Sequence, residues 1–285
     1  MIDKVVFKKP GLINPKEFSY VDMHYHTRYS DGRVKIVKVM KRCRKKGVGI
    51  SITDHNDVRG SLLASRFKGV MTIPGIEIGV KEKSHLLLYF YSTKDLEEFY
   101  LKKVKNNRPR DPMRSLRIGI NEIIEEAKKY NAITCAPHPF SRGGGGGIIK
   151  SIKKGRINPG IMNSIKLIEV INGQNLKRYD IKAAVLANRL RKGITGGSDG
   201  HTAVEIGKVL TYTDLVSNKE QFLEELIKRR SYVIGKNLNM AARIGPHGIT
   251  IKKHMRHPIY WIKEGKRIIK ENNHKIKERI KKRLI

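Results

Sequence analysis

The chain has 285 residues, 39% of them hydrophobic, so it can bury one large core or two modest ones, and disorder is excluded as its main state. Its 60 Lys and Arg against 26 Asp and Glu give a formal net charge of +34, which favours anionic partners such as phosphate esters, nucleic acid or an acidic membrane surface. The two cysteines, Cys43 and Cys135, are too few for a disulfide framework or a four-cysteine zinc site. Any metal must therefore be bound by histidines and carboxylates.

No segment of the sequence has the character of a membrane span or a secretory signal. The apolar runs fall short of the roughly 18 residues that a transmembrane helix needs, and the first residues lack the apolar stretch and cleavage site of a signal peptide. We therefore expect a cytoplasmic protein without integral membrane association. No repeat with a period of about 20 to 50 residues is visible, so a solenoid is not expected.

Seven short β-rich segments recur along the chain, and most are continuous apolar runs that indicate strands buried on both faces, as in a parallel sheet. In chain order these predicted strands are residues 20–24, 48–53, 70–78, 85–90, 132–136, 165–171 and 193–198. Amphipathic segments lie between several of them. The first, residues 33–46, places Val34, Val37, Met40 and Cys43 on one side of a predicted helix. The alternation predicts an α/β fold, either a barrel or a doubly wound sheet.

Side chains that can bind metals occur at or next to the ends of these predicted strands. They are His24 and His26 on the first, Asp54 and His55 on the second, Glu77 on the third, His85 at the start of the fourth, His138 after the fifth, and Asp199 and His201 after the seventh. Because the carboxyl ends of barrel strands converge on one rim, this pattern favours the barrel over the open sheet. His24 and His26 are two residues apart, so on a strand both can reach one cation.

These segments resemble the PHP (polymerase and histidinol phosphatase) superfamily of metal-dependent phosphoesterases. The matching stretches occur in the family's order over roughly residues 20–215 and read VDMHYHTRYSDG, SITDHNDVRG, IPGIEI, SHLLLYF, APHPFSRGG and GGSDGHTAVEIG. The resemblance implies a distorted (β/α)7 TIM-like barrel that carries two or three divalent metal ions at its carboxyl rim.

The resemblance also implies nine metal ligands in three groups. The first ion would be bound by His24, His26, Glu77 and Asp199, the second by Glu77, His85 and His138, and the third by Asp31, His55 and His201. Glu77 would bridge the first two ions. Six imidazole nitrogens and three carboxylates suit Zn, Mn or Fe better than Mg or Ca.

This ligand set predicts a phosphoesterase. Three dications, three carboxylates and one hydroxide leave a charge of about +2, which complements a phosphomonoester dianion. We expect a metal-activated hydroxide, generated from a bound water whose pKa falls to about 7, to attack phosphorus in a phosphorylated small molecule or a nucleic-acid end. The residues expected to take part are His24, His26, Glu77 and Asp199, with Arg142 either holding a substrate phosphate or facing solvent.

Several alternatives stay open at this point. Asp22 and Asp54, next to expected ligands, could accept hydrogen bonds from histidine rings or could cap turns. Family members that act on nucleotides commonly carry a helical subdomain between the fourth and fifth strands, whereas 41 residues separate those strands here, which argues against a nucleotide substrate. The alternative function is a nucleic-acid-binding subunit of an RNA-processing complex built on the same barrel.

The basic charge is partly concentrated in two segments. Residues 1–240 are predicted to form the barrel, and residues 241–285, with 14 Lys and Arg against three Glu, a basic and partly amphipathic helical extension. That extension could pack on the barrel, bind a nucleic-acid backbone or contact an acidic membrane surface. A second basic stretch, residues 102–114, is expected near the rim, where it could guide a phosphate backbone to the metals.

Overall fold

The computed structural model describes residues 2–11, 14–111, 113–141 and 146–237, which belong to one compact unit, Met1–Leu238. Arg142 and the extension 241–285 lie outside the described residues, so the division at residue 240 stays a prediction. The strands in the described ranges are β1 Val5–Val6, β2 Phe18–Tyr25, β3 Gly49–Ile52, β4 Thr72–Val80, β5 Ser84–Tyr89, β6 Ile133–Ala136, β7 Leu167–Asn172, β8 Gly193–Gly197, β9 Val209–Asp214 and β10 Tyr232–Gly235.

Seven α-helices lie in the described ranges: α1 Ile36–Lys46, α2 Arg59–Ala64, α3 Thr93–Phe99, α4 Ile120–Lys128, α5 Ile148–Lys153, α6 Lys177–Arg189 and α7 Lys219–Ile227. A π-helical turn, Tyr100–Val104, continues α3. Helix α1 buries Ile36, Val39, Met40 and Cys43, whereas Val37 is exposed. The prediction that Val37 faces the core was wrong because the helix begins at Ile36, and spacings of three, four and seven from that residue define its buried face. No described helix combines the length and apolar character that crossing a membrane requires.

The ten strands form one mixed sheet in the order β1-β10-β9-β2-β3-β4-β5-β6-β7-β8. Parallel pairing joins β2 to β3, β3 to β4, β6 to β7 and β7 to β8, but β5 runs antiparallel to both of its neighbours. The reason is the connection, since residues 81–83 are too few for the crossover that a parallel pair needs. The expectation of parallel pairing was therefore wrong at β5.

The sheet curls until the end of β8 returns to β2. The backbone N–H of Asp199 donates to the carbonyl oxygen of His24 at 2.8 Å, and the N–H of His26 donates to that of Gly200 at 2.9 Å. Tyr25 forms a parallel bridge with Gly200. These contacts, with helices on the strands, give the distorted α/β barrel that the sequence predicts.

The core holds the strand ends rigidly in place. Strands β3, β6, β7 and β8 are buried along their whole length, as their apolar runs predict. Met23 of β2 and Tyr89 of β5 pack in one cluster with Phe222 and Leu226 of α7. Cys135 is a buried strand residue in the same cluster, which agrees with the absence of a ligand role for it. Close packing of this kind fixes the positions of side chains that project from the rim.

Candidate metal centre

All nine residues expected as ligands lie around one pocket, where β2, β3, β6 and β8 end. Six are buried, and the side chains of His85, Asp199 and His201 are 13–15% exposed. His85 reaches this rim because β5 is antiparallel to β4, so the start of β5 lies beside the end of β4, and His85 pairs with Gly79. The unexpected strand direction thus explains why one histidine opens its strand instead of closing it.

Four donor atoms form the tightest group, namely Nε2 of His24, Nε2 of His26, Oε2 of Glu77 and Oδ1 of Asp199. The two nitrogens are 3.1 Å apart, and the Glu77 oxygen is 3.4 Å from each of them. The Asp199 oxygen is 3.1 Å from His26 and 3.6 Å from His24. Ligand atoms bound tetrahedrally at about 2.0–2.1 Å are about 3.4 Å apart. The atoms of His24, His26 and Glu77 therefore have the spacing of ligands to one tetrahedral cation, and the Asp199 oxygen lies beside both histidines.

The carboxylate of Glu77 faces two groups of histidines. Its Oε1 lies 2.9 Å from Nδ1 of His85 and 3.2 Å from Nε2 of His138, while its Oε2 lies 3.0 Å from Nδ1 of His55. Among the described residues no group is placed to donate a hydrogen bond to the buried Oε2. A buried acceptor of this kind is costly unless a cation neutralises it. Glu77 is thus placed as a bridging ligand would be.

A third group lies on the far side of His26. Oδ2 of Asp31 is 2.8 Å from Nε2 of His201 and 3.9 Å from Nε2 of His55. Donor atoms of His26, Asp31 and His55 all lie within 4.8 Å of one another. His55 is therefore situated between Asp31 and Glu77, and it could serve either group.

Two hydrogen bonds determine which ring nitrogen carries the proton. Nδ1 of His24 is 2.9 Å from Oε1 of Glu169, and Nδ1 of His201 is 2.8 Å from the backbone oxygen of Asp199. Because a carboxylate and a carbonyl oxygen only accept, each Nδ1 donates. Nε2 is therefore the nitrogen that both rings present to the carboxylates of the pocket, and a hydrogen bond from Nδ1 is the usual arrangement of a metal-binding histidine.

The carboxylates of the pocket raise the pKa of several of its imidazoles, whereas burial lowers that of His85. Burial alone would lower the pKa of His24, but Asp199, Glu169 and Glu77 together raise it well above its ordinary value. Burial also opposes the charged form of His55, yet Glu77 and its neighbours raise the pKa of that ring to about 9. Protons and metal ions compete for the same nitrogens, so a pocket with this charge distribution favours cations.

Glu169, in β7, is the residue of the site that the sequence analysis missed. Its Oε2 accepts hydrogen bonds from the backbone N–H of His138 at 2.7 Å and from Nδ2 of Asn172 at 2.9 Å. Asn172 also donates to Oδ2 of Asp199 at 3.1 Å. A signal was present, because Glu169 is the one acidic residue in the predicted strand 165–171. A buried carboxylate in an apolar strand requires partners.

Asp22 and Asp54 stabilise turns and accept no hydrogen bond from a histidine ring in the described structure. Asp22 accepts from the backbone N–H groups of Ser198 at 2.8 Å and Gly207 at 2.9 Å. Asp54 accepts from the N–H and hydroxyl of Thr27, each at 2.7 Å, and from Ser30. The turn-capping alternative is therefore the correct one for both, since each carboxylate is adjacent in sequence to a site histidine but satisfies backbone groups.

The basic stretch 102–114 lies against the rim, as predicted. Nδ2 of Asn56 donates to the backbone oxygen of Arg114 at 2.9 Å, and Nη1 of Arg108 donates to the backbone oxygen of Asn56 at 3.1 Å. Asn56 directly follows His55 in the sequence and has a φ of 49°. This left-handed conformation, which Asn tolerates better than most residues, lets its backbone and side chain bind the stretch at two points.

The sequence matches the PHP domain over residues 22–238, a range that contains every side chain of the pocket. The chain belongs to the PHP family. Membership agrees with the curled mixed sheet and with the rim position of the histidines. Among curated protein sequences no significant match is found.

Three solved structures have a similar fold. A two-domain protein from Bacteroides vulgatus, containing a predicted PHP-like metal-dependent phosphoesterase, is 18% identical with a TM-score of 0.55, covering 85% of this chain and 72% of that one. Endonuclease Q from Pyrococcus furiosus, described as lesion-specific, is 17% identical with a TM-score of 0.59, and the match covers 76% of this chain and 57% of that one. Endonuclease Q bound to a 27-mer duplex with an abasic lesion at its active site is 16% identical with a TM-score of 0.60, and the match covers 74% of this chain and 56% of that one. The chain thus spans little more than half of the endonucleases, and these identities show a shared fold.

Proposed function

We propose that this PHP protein is a metal-dependent phosphoesterase that hydrolyses phosphate ester bonds at a centre of two or three divalent ions. The observation that supports the proposal best is the group formed by His24, His26 and Glu77, whose donor atoms are 3.1–3.4 Å apart, as ligands of one tetrahedral cation would be. Asp199 lies beside both histidines. Glu77 also faces a second group of histidines through its other oxygen. The nitrogen-rich ligand set favours Zn, Mn or Fe.

Charge balance supports a phosphate ester as the substrate. The pocket contains three carboxylates that no Lys or Arg side chain among the described residues neutralises directly. Two or three dications would reverse the sign of that charge and make the pocket attractive to a phosphate dianion. A neutral ester or amide would gain little from such a field.

The chain's own residues would position the reacting groups. When bound, the metal ions would supply an activated water and neutralise charge on the phosphate. Glu169 keeps the proton of His24 on Nδ1 and orders the backbone of His138. Asn172 orients the carboxylate of Asp199. These bonds hold donor atoms in place before substrate arrives, which lowers the cost of reorganisation during the reaction.

The substrate we propose is a phosphomonoester or the phosphorylated end of a nucleic acid. The net charge of +34 favours a polyanion over a small neutral molecule. The structural similarity to endonuclease Q, solved with a duplex substrate, supports a nucleic acid as one member of this class.

The first experiment tests metal content and hydrolysis together. Protein loaded with Mn, Zn or Fe is assayed for release of p-nitrophenol from p-nitrophenyl phosphate, and bound metal is counted by elemental analysis. In Glu77→Gln the side chain keeps its size but loses the charge that faces both histidine groups. We expect this variant to bind less metal and to lose hydrolysis, because a bridging amide neutralises no cation charge.

The matched control is Glu98→Gln, an exposed glutamate on α3. We expect it to retain wild-type metal content and activity. Full activity in metal-free wild-type protein, or in Glu77→Gln, would contradict the proposal. Protein that binds neither metal nor aryl phosphate but binds RNA with steep salt dependence would instead be the nucleic-acid-binding subunit.

A further inference from the structure

A cluster of arginines is built around a buried carboxylate beside the metal centre. Asp57 is fully buried, and Arg59 binds it through Nε at 3.0 Å and Nη2 at 2.7 Å. Nη1 of Arg108 binds the same carboxylate at 2.8 Å and also donates to the hydroxyl of Tyr100 at 3.0 Å. One aspartate thus orients two guanidinium groups from distant parts of the sequence. Bidentate contacts of this kind fix the plane of a guanidinium group.

The cluster carries more positive charge than its own contacts neutralise. The guanidinium groups of Arg28 and Arg59 both lie over the ring of Tyr29, at 5.6 and 4.8 Å from its centre. Arg59 and Arg108 share the single carboxylate of Asp57, and Arg28 adds a third guanidinium group on the Tyr29 ring. The side chain of Arg59 is 58% exposed and that of Arg108 21% exposed, so each can still reach a ligand. An ordered guanidinium pair with excess charge is suited to an anion such as phosphate.

The position of this arginine cluster relates it to the metal centre. Arg108 contacts the backbone oxygen of Asn56, the residue after His55, and Tyr29 follows His26 by three residues. Consecutive Cα atoms are about 3.8 Å apart, so these short links place the cluster no more than on the order of 10 Å from His26 and His55. A substrate that carries two phosphates can therefore reach both places.

We propose that Arg59 and Arg108, oriented by Asp57, bind a second phosphate group of the substrate, and that the substrate is a nucleic-acid strand. The inference rests on the proposed phosphoesterase function and narrows its substrate class. A nucleic-acid strand carries one phosphate for about every 3.4 Å of helix axis, so it presents a backbone phosphate to the arginine cluster while its end lies at the metals.

The test measures binding without catalysis. A fluorescent single-stranded oligonucleotide with a 5′-phosphate is titrated with full-length protein in EDTA, and anisotropy is recorded over a range of salt concentrations. We expect Arg59→Ala and Arg108→Ala each to weaken binding by about 3- to 10-fold and to reduce the slope of log K against log salt concentration by about 1. Each single variant leaves Asp57 one arginine partner, so the fold should persist.

Arg189→Ala is the matched control, since this exposed arginine ends α6 near the start of β8, at the opposite edge of the sheet. It lowers the net charge equally and should keep the wild-type affinity to within about 2-fold. Equal affinities and slopes for Arg59→Ala, Arg108→Ala and Arg189→Ala would overturn the inference. If Arg108→Ala lowers the melting temperature, Arg108→Lys is used instead, because it keeps the charge but lacks the planar guanidinium group. Wild-type binding by Arg108→Lys would count against the role of Arg108.

A kinetic measurement separates this inference from the proposed function. With metal present, kcat/KM is compared for the 5′-phosphorylated oligonucleotide and for p-nitrophenyl phosphate. We expect Arg59→Ala to lower the first value about 10-fold more than the second, mainly through KM. Equal losses on both substrates would overturn the inference alone. No hydrolysis of either substrate by wild-type protein would refute the proposed function, while the binding result in EDTA would stand.

Discussion

At the scale of single residues, the proton on His24 depends on Glu169. The carboxylate of Glu169 accepts from Nδ1 of His24 through one oxygen and from two N–H groups, of His138 and Asn172, through the other. All three partners approach a side chain that offers only acceptors. That is why Nδ1 of His24 is the donor to Glu169 and Nε2 is the nitrogen that faces Glu77.

Glu169→Gln should weaken metal binding about 10- to 100-fold. The amide oxygen is required by the N–H groups of His138 and Asn172, so the amide nitrogen faces Nδ1 of His24. Nδ1 of His24 must then accept a hydrogen bond from the amide, so the ring proton moves to Nε2. A protonated Nε2 has no lone pair with which to bind a cation. Metal affinity is measured by competition with a chromogenic chelator.

Glu126→Gln serves as the control for this substitution, because Glu126 is a nearly buried glutamate on α4 that pairs with Lys129, away from the pocket. Its metal affinity should match the wild type. If Glu169→Gln bound metal as tightly as Glu126→Gln, the tautomer argument would fail.

The sequence predicted the histidines of the site more readily than their partners. His24, His26 and His55 stand at strand ends, where residue type and position give a local signal. Glu169 lies inside β7, and its role depends on His24 of β2, a strand that is far away in the sequence and does not pair with β7. For Asp22 and Asp54 the sequence left two alternatives open, because closeness in sequence to a histidine says nothing about which donor the carboxylate faces.

At the scale of elements, the contact between β2 and β8 determines the width of the pocket. A Cβ built on Gly197 would overlap the Cβ and backbone nitrogen of His24. Glycine at this position therefore permits the two strands to approach closely enough for Asp199 to hydrogen-bond His24. The distance between β2 and β8 therefore also sets the distance between two proposed ligands, His24 and Asp199.

Gly197→Ala should destabilise the protein by about 1–3 kcal/mol and weaken metal binding at the same time, because β8 must move away from β2. Gly11→Ala is the control, since a Cβ at Gly11 meets no atom within 4 Å. Urea unfolding gives the stability and chelator competition the metal affinity. A variant that lost stability but kept full metal affinity would show that Asp199 does not depend on this contact.

The order of the elements was predictable, but the direction of some strands was not. All seven predicted strands are present, because their apolar runs are fully buried. Strands β1, β9 and β10 were missed because their apolar runs are only two or three residues long. In β9 and β10 the half-buried rings of Tyr212 and Tyr232 stack on one another across the strands. The reversal at β5 follows from a three-residue connection whose length, rather than composition, decides the pairing.

At the scale of the whole molecule, one buried carboxylate links stability to pH. Asp180 on α6 is fully buried and accepts from Nδ2 of Asn175 at 2.9 Å and Nδ2 of Asn237 at 2.6 Å. Burial outweighs these bonds and raises the pKa of Asp180 to about 8. The folded state therefore holds a proton that the unfolded chain releases at much lower pH.

This difference predicts a loss of stability on the alkaline side. The stabilisation that protonated Asp180 gives the folded state is complete below pH 3.8, the pKa of this carboxyl in the unfolded chain. It is lost as pH rises to about 8, its pKa in the folded state. Between these limits the free energy of unfolding should fall by up to about 1.4 kcal/mol per pH unit from this group. Asp180→Asn should remove that part of the slope, as measured by urea unfolding between pH 5 and pH 9.

Asp214→Asn, at an exposed position in β9, is the control and should keep the wild-type slope. Parallel stability curves for wild type, Asp180→Asn and Asp214→Asn would rule out a protonated Asp180 in the folded state.

The closure of β8 onto β2 also orders events during biosynthesis. A ribosome delivers the chain from its N-terminus, so His24 and His26 emerge long before Asp199 and Gly200, the residues that bond to their backbones. Until β8 has left the exit tunnel, His24 and His26 lack the backbone partners that hold them in the pocket. Cation capture in the finished geometry is therefore a late step, and a nascent chain that stalls before Asp199 should leave the ribosome without its metal.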